Sequence, residues 1–421
     1  MHALLETADL ELLQWVDRQQ DRLAQQLIEL CEINSGSFNT EGVNLCGQKV
    51  ATLFADRLGV AITQSQPPPW LTRDRAGNSF SQPLARIWRL QKRPQAPLKL
   101  LLCGHLDTVF PPQYPFHCHY LKDTQQLSGP GCLTKGGLLI MLTALELLEQ
   151  SALAEKIGWT VLLTPDGEIG SPGSIPILEE EAAAQQLGLL FYPSRHGEPL
   201  AIQRYGSGNF ICSVHSDNPA DPNRDAIALL AELIQVLQRL PDSIQALELF
   251  FGQIEGGLTL ESPASSATLK VMIRIAQASD ENRVVEQLQK IEQQFNQRKG
   301  QVLQLYGGFN RKPKVLDTTH QTLRQALSGC AQALSFSIDW GTSHETGDGN
   351  TLATAGLPNL DCLGAVGRGR NSDKETIDLN SLTERARLSG LWLLNLARHG
   401  LPFAAQPQTT RQKAEKPEDP D

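Results

Sequence analysis

The stretch Leu101-Leu-Cys-Gly-His-Leu-Asp-Thr-Val-Phe110 decides the fold class of this chain. The mostly apolar run at residues 98–103 has the length of a buried strand. Gly104 then lets the backbone leave the sheet, and His105 and Asp107 follow at the carboxyl end of the strand, where open α/β sheets place their chemistry. A histidine that binds a metal is often oriented by a nearby carboxylate, so the pair is a candidate site. A strand that ends in an ordinary polar turn would give the same pattern.

Helix-like and strand-like segments alternate on both sides of this stretch, which predicts an α/β fold with a mostly parallel sheet flanked by helices. Between residues 206 and 310 the order changes to strand, helix, strand, strand, helix, which predicts a smaller α+β lid. We therefore expect one discontinuous α/β domain, residues 1–205 and 311–401, interrupted by the lid. Residues 402–421 are rich in Gln, Lys, Glu and Pro, so we expect a disordered tail.

Length and composition exclude several classes of function. The 421 residues are too many for one ordinary core, so two domains are expected. A net charge of -9 provides no basic surface for nucleic acid, and no apolar run approaches the length of a membrane span. The N-terminus lacks a basic segment followed by an apolar one, so we expect no signal peptide. The eight cysteines form no C-x-x-C pair, which is typical of reduced thiols in a cytoplasmic protein.

Further motifs follow in an order that resembles a known family. They are His105-Leu-Asp107, Gly129-Pro-Gly131 with Lys135-Gly-Gly137, Thr164-Pro-Asp-Gly-Glu-Ile-Gly-Ser171, Gly256-Gly257 with Pro263, Arg274, Gly347-Asp-Gly349, and Leu363-Gly-Ala-Val-Gly-Arg-Gly369 followed by Asp373-Lys-Glu375. Together they are similar to the di-zinc family of aminoacylases, acetylornithine deacetylases, succinyl-diaminopimelate desuccinylases and glutamate carboxypeptidases. The resemblance implies a metallopeptidase-type α/β domain, a lid that often forms a homodimer contact, and hydrolysis of N-acyl or peptide amides.

Part of the site that this resemblance implies is retained. In the family, two zinc ions share an aspartate and a water, and a glutamate next to a ligand glutamate takes the proton from that water. On this basis His105 and Glu168 match one ligand of each zinc, and Asp107 matches the carboxylate that orients the histidine. Arg274, at the end of a lid strand, is either a bidentate clamp for a substrate carboxylate or a member of a surface ion pair.

The rest of the implied site is missing. Gly167 occupies the position of the general base, Tyr192 and Asn371 occupy two metal-ligand positions, and residues 132–134 include no bridging aspartate. Each zinc would keep one protein ligand, whereas a stable catalytic zinc has about three. We therefore expect zinc to be absent or weakly bound. The substitute ligands that remain open, each with a plainer explanation as a packed thiol or a loop residue, are Cys132, His196 and His344.

Two classes of function remain. One is a metal-dependent deacylase or carboxypeptidase that uses substitute ligands, and the other is a catalytically degenerate relative that binds a small anionic or peptide-like ligand or a partner. The ligand count favours the second. The family's lid histidine has no clear match, with His215 the nearest candidate. A nucleotide-binding loop is excluded because residues 131–137 lack the required Lys-Ser/Thr, and Ser171 and Ser174 lack the context of a serine nucleophile.

Overall fold

The computed structural model describes residues 4–404, apart from 75–76, 217–220, 222–223 and 298–300. The helices are α1 (Thr7–Asp17), α2 (Gln20–Cys31), α3 (Thr40–Leu58), α4 (Cys132–Gln150), α5 (Ile175–Ala184), α6 (Ala226–Leu237), α7 (Leu240–Ser243), α8 (Asp280–Asn296), α9 (Thr318–Ala333), α10 (Asp348–Thr354) and α11 (Asn380–His399). One-turn 3-10 helices lie at Lys122–Thr124, Ala154–Lys156 and Gly167–Ile169. The predicted tail beyond residue 404 lies outside the described residues.

The strands are β1 (Ile62–Ser65), β2 (Trp70–Arg73), β3 (Ser79–Gln82), β4 (Ile87–Lys92), β5 (Leu98–His105), β6 (His119–Leu121), β7 (Gln126–Ser128), β8 (Ile157–Thr164), β9 (Leu187–Leu190), β10 (Ser194–Arg195), β11 (Leu200–Arg204), β12 (Gly206–Ser216), β13 (Glu248–Gly256), β14 (Ser266–Ile275), β15 (Gln301–Arg311), β16 (Trp340–Ser343), β17 (Asn359–Leu360), β18 (Val366–Arg368) and β19 (Thr376–Asp378).

A six-stranded sheet in the order β1-β4-β8-β5-β9-β17 forms the centre of the α/β part. Strand β5 pairs in parallel with β8 and β9, and β9 pairs in parallel with β17. Strand β4 runs in the opposite direction to the other five strands, so it is antiparallel to both β1 and β8. Side chains of β5 alternate between two apolar clusters, because successive residues of a strand point to opposite faces. Leu100 and Leu102 join helices α2, α3, α4 and α11 on one face, whereas Leu101 and Cys103 join α5 and α10 on the other. The mixed α/β class predicted from the sequence is confirmed.

Two helix limits differ from those predicted. The spacing of apolar residues over 9–31 predicts one helix, but the structure has two, α1 and α2. The apolar stripe continues across the break, so the sequence pattern does not reveal it. The glycines of residues 129–137 predict a loop, but α4 already begins at Cys132, directly after Gly131 in a left-handed conformation (φ 71°). Helix α4 is buried over nearly its whole length, and a β-carbon on Gly137 would lie 2.1 Å from the carbonyl oxygen of Phe191. A short five-stranded sheet, β10-β18-β19-β7-β6, covers the edge near the candidate site.

The segment between β12 and β15 builds a four-stranded antiparallel sheet in the order β13-β14-β12-β15. Helices α6 and α8 pack with this sheet in one apolar cluster, which is separate from the clusters of the main sheet. The limits 1–205, 206–310 and 311–401 for the domains remain a prediction. No helix within the described part of the chain is long and apolar enough to cross a membrane.

The two chain crossings between the main sheet and this smaller sheet lie side by side. Arg204 and Lys314 exchange backbone hydrogen bonds of 3.0 Å in both directions. Their side chains are buried, with Arg204 Nε 2.6 Å from Asp361 Oδ2 and Lys314 Nζ 2.7 Å from Asn359 Oδ1. Burial lowers the pKa of Lys314 to about 8, although the charge of Asp361 opposes this shift. The crossing is therefore anchored by buried polar contacts to the end of β17.

We expect Gly137→Ala to lower the free energy of unfolding by about 2–3 kcal/mol, because the added methyl meets the Phe191 carbonyl within a packed core. In an open helix the same change would stabilise the chain by up to about 1 kcal/mol. Gly308→Ala, where a β-carbon has no heavy atom within 4 Å, is the control and should change stability by less than about 0.5 kcal/mol. Urea denaturation measures both, and equal effects would contradict the packing described here.

The pH dependence of stability should report Lys314. Its pKa is lower in the folded state, so the unfolded state binds the proton more tightly, and stability should rise as the pH increases from about 8 to 10.5. Lys314→Met removes this contribution. The difference in unfolding free energy between wild type and variant should change by up to about 1.4 kcal/mol per pH unit in that window. Parallel curves from urea denaturation at pH 7 to 10 would refute this.

Candidate functional site

Three loops at the carboxyl ends of neighbouring strands bring the candidate residues together. His105 is the last residue of β5, Glu168 lies in the one-turn helix after β8, and Tyr192 follows β9. Because these strands are parallel and adjacent, their carboxyl ends meet at one edge of the sheet. His105 Nε2 lies 3.8 Å from Glu168 Oε1, and the rings of His105 and Tyr192 meet edge to face with centroids 5.1 Å apart.

Asp107 fixes the position of both His105 and the Glu168 loop. The His105 Nδ1 atom lies 3.1 Å from Asp107 Oδ1 and 3.0 Å from the Asp107 carbonyl oxygen. Both partners accept hydrogen bonds, so Nδ1 carries the proton. The fully buried carboxylate also accepts from the backbone N–H groups of Gly167 (2.8 Å) and Glu168 (3.1 Å) and from Ser37 Oγ (2.7 Å). Burial opposes protonation of His105, but the hydrogen bond and charge of Asp107 raise its pKa above the ordinary value.

The Glu168 carboxylate is held by side-chain donors. Arg370 Nη2 lies 3.3 Å from its Oε1, and Asn371 Nδ2 lies 3.3 Å from its Oε2. The Glu168 side chain is 8% exposed, so its charge needs a partner, and the Arg370 guanidinium provides one. Both oxygens are therefore occupied by groups that donate hydrogen bonds.

The Tyr192 side chain belongs to a buried hydrogen-bond network. Its hydroxyl donates to Asp348, whose other oxygen accepts from Ser171 Oγ and from Arg311 Nη2, both at 2.6 Å. Burial, reinforced by the charge of Asp348, raises the pKa of Tyr192 well above its ordinary value. The phenol is neutral and its proton is committed, so it is a poor metal ligand.

Gly167 leaves no room for a side chain at the position of the general base. A β-carbon there would lie 2.7 Å from both Cβ and Cγ of His105. The imidazole therefore packs directly over the backbone of Gly167. A glutamate could be accommodated only if His105 or the loop moved.

The substitute ligands considered from the sequence do not join the site. Cys132 is buried at the start of α4, and burial raises the pKa of its thiol well above the ordinary value. His196 is exposed, and His344 bonds Glu248 at 2.5 Å and stacks on Tyr205. Within the described ranges, no group of three or more His, Cys, Asp and Glu side chains could hold a metal ion. The donor set present does not fit a dinuclear zinc centre.

The two lid residues singled out from the sequence lie elsewhere. Arg274 is 3.6 Å from Glu248 on the neighbouring strand, and its guanidinium lies 4.6 Å from the ring centre of Phe250. It therefore has an ion-pair partner, and a role as a carboxylate clamp remains a prediction. His215 lies on β12 and pairs with Ser266 on β14.

Sequence reasoning missed a group of charged residues beside Glu168. Arg195 Nη2 lies 2.7 Å from Glu345 Oε1, and Arg370 Nη1 lies 3.0 Å from Glu345 Oε2. The one available signal was the position of Arg370, directly before Asn371. Nothing in the sequence relates Arg195 to Glu345, which are 150 residues apart.

The chain is similar to known peptidases over almost its whole length. The model of peptidase family M20/M25/M40 matches residues 101–395, more than half of the chain. Carboxypeptidase G2 from Pseudomonas sp. (strain RS-16) is 23% identical over 413 residues, covering 94% of each chain.

Solved structures of three peptidases share the fold. Human carnosine dipeptidase 1 gives a TM-score of 0.69 at 17% identity, covering 93% of this chain and all of that one. The dipeptidase Dug1p from Saccharomyces cerevisiae gives 0.70 at 12% identity, with coverages of 94% and 99%. A dinuclear metal-binding M20 peptidase from Bacillus subtilis gives 0.60 at 14%, with coverages of 91% and 99%.

Substitution of Gly167 should displace the His105 side chain and lower the stability of the protein. We expect Gly167→Ala to lower the free energy of unfolding by about 1–3 kcal/mol and to shift the NMR signals of the His105 ring, because the methyl group meets that ring. Gly308→Ala is again the control. Gly167→Glu should restore no amidase activity, since the metal ligands are still missing. An unchanged His105 signal in Gly167→Ala would contradict the contact.

Proposed function

The chain belongs to peptidase family M20/M25/M40, and we propose that its candidate site binds a small carboxylate-bearing ligand without hydrolysing it. The family is one of peptidases, and the candidate residues lie at the carboxyl ends of neighbouring strands, where α/β folds place their chemistry. Substrates of the expected class, N-acyl amino acids and dipeptides, carry both an amide and a carboxylate. The lid would provide a homodimer contact, as the resemblance implies.

This proposal rests on the hydrogen bonds that the site residues already make with other residues of the protein. Hydrolysis by two metals needs a set of free ligands and a base beside the water. Here Glu168 is engaged by Arg370 and Asn371, Tyr192 donates to Asp348, and position 167 has no side chain. A missing base alone costs about 10²–10⁴-fold in rate.

The chain's own residues can still bind and orient a ligand. Guanidinium groups bind carboxylates bidentately and remain charged at every physiological pH. Arg370 stands beside Glu168, and Arg195 stands at the exposed side of Glu345. His105, held by Asp107, completes the floor of the cleft. The proposal assigns these residues to recognition, with no step that passes through a metal.

Metal content and turnover test the proposal together. We expect the purified protein to contain well below one equivalent of metal by elemental analysis. N-acetyl amino acids, N-succinyl amino acids and dipeptides should not be hydrolysed above the blank, with or without added zinc, cobalt or manganese. The same N-acyl amino acids should raise the melting temperature, because a ligand that binds only the folded state stabilises it.

The competing function is hydrolysis through substitute ligands, which family membership favours. Two equivalents of bound metal, with turnover abolished by His105→Ala, would establish that function and refute ours. Arg283→Ala serves as the control and should behave like the wild type in each assay, because Arg283 is an exposed residue of α8 whose ion-pair partner is Asp280 of the same helix.

A further inference from the structure

We propose that Arg195 and Arg370 form a seat for the ligand's carboxylate, and that the chain's own Glu345 occupies this seat while no ligand is bound. The inference rests on the proposed function and names where its ligand binds. It assigns the carboxylate to two residues of the α/β part, whereas Arg274 lies on β14 of the smaller sheet, near enough for its charge to act on Glu345.

The geometry around Glu345 is that of a bound carboxylate. Its Oε1 is 2.7 Å from Arg195 Nη2 and its Oε2 is 3.0 Å from Arg370 Nη1, so each oxygen has its own guanidinium. Arg204 Nη1 donates to the Glu345 backbone carbonyl at 3.0 Å. Charge-assisted bonds of this kind are among the strongest polar contacts in proteins. The two guanidiniums would bind the carboxylate of a small molecule in the same way.

The seat is reachable from solvent on one side and adjoins the candidate site on the other. The side chains of Arg195 and Glu345 are 51% and 36% exposed, whereas that of Arg370 is 19% exposed. The second terminal nitrogen of Arg370 contacts Glu168 at 3.3 Å. A ligand bound through its carboxylate would therefore extend over Glu168 and His105.

Arg370 also has an unused donor. Its Nε atom is buried and has no hydrogen-bond partner among the described residues. A buried N–H without a partner is destabilising, because it has lost its hydrogen bonds to water. A ligand with an additional acceptor, such as an amide carbonyl, could satisfy this group in a way that Glu345 alone does not.

Glu345 lies in a loop, so its side chain can move away from Arg195 and Arg370. It lies between β16, which ends at Ser343, and α10, which begins at Asp348, so its side chain can rotate without unwinding either element. Burial opposes its charge, but Arg370, Arg195 and other nearby arginines hold the pKa of Glu345 below its usual value. The group is therefore an anion at neutral pH and competes directly with a ligand anion.

Other arginines near the cleft are less available. Arg204 is buried against Asp361 at 2.6 Å and serves the chain crossing. Arg274 is paired with Glu248 and stacked on Phe250, both on the same sheet. Glu146 also contacts two guanidiniums, those of Arg22 and Arg57. At Glu345, however, one of the two partners, Arg370, also contacts Glu168 of the candidate site.

Calorimetric titration with N-acetylglycine, using N-acetylglycinamide as the uncharged control ligand, tests the seat. Glu345→Gln removes the competing anion while keeping its shape, so it should bind N-acetylglycine about tenfold more tightly than wild type. Arg195→Met should bind it about tenfold more weakly. Arg283→Met, which removes an arginine of similar exposure on α8, should match the wild type. N-acetylglycinamide should bind none of these proteins.

The outcomes separate this inference from the proposed function. Binding of N-acetylglycine that is unchanged in Glu345→Gln and in Arg195→Met would overturn the seat but leave the function intact. Binding by Glu345→Gln and not by wild type would support the seat. No binding by any variant would overturn the proposed function and the seat with it. Melting temperatures of all variants, measured in parallel, identify any that fail to fold.

Discussion

The Asp107 carboxylate is the contact on which the candidate site depends. It is fully buried, and it accepts hydrogen bonds from two backbone N–H groups, a serine hydroxyl and the imidazole of His105. These donors come from three separate segments of the chain. One carboxylate thus joins the end of β5, the loop after β8 and the segment before α3.

The Glu168 carboxylate has its counter-charge and its hydrogen-bond donors within the protein itself. A buried carboxylate without a counter-charge is strongly destabilising. In this chain a guanidinium stands at hydrogen-bond distance from Glu168, and an amide from Asn371 occupies its other oxygen. Asn371 adopts a left-handed conformation (φ 64°), which Asn tolerates better than most residues. Charge balance is thereby retained by side chains of the protein itself.

Local patterns in the sequence predicted much of the fold and little of this charge balance. The apolar run before His105 predicted β5 and its position, because a buried strand is determined by a few adjacent residues. The start of α4 at Cys132 was missed, since glycines around it resemble a loop. The substitutions at 167, 192 and 371 were visible as departures from a family pattern.

The new partners of those positions were not visible. Tyr192 meets Asp348 across 156 residues, and Glu168 meets Arg370 across 202. Such pairs are set by tertiary packing, and one sequence contains no local signal for them.

The adjacent chain crossings at Arg204 and Lys314 affect how such a protein can evolve. Their backbones are hydrogen-bonded to each other, so the whole intervening sheet leaves and rejoins the main one at a single point. A segment with touching ends can be lengthened, exchanged or deleted without altering the order of the host strands. The main sheet and the smaller sheet can therefore diverge in sequence at different rates. The smaller sheet can acquire new surfaces while the strands that carry the candidate site keep their arrangement.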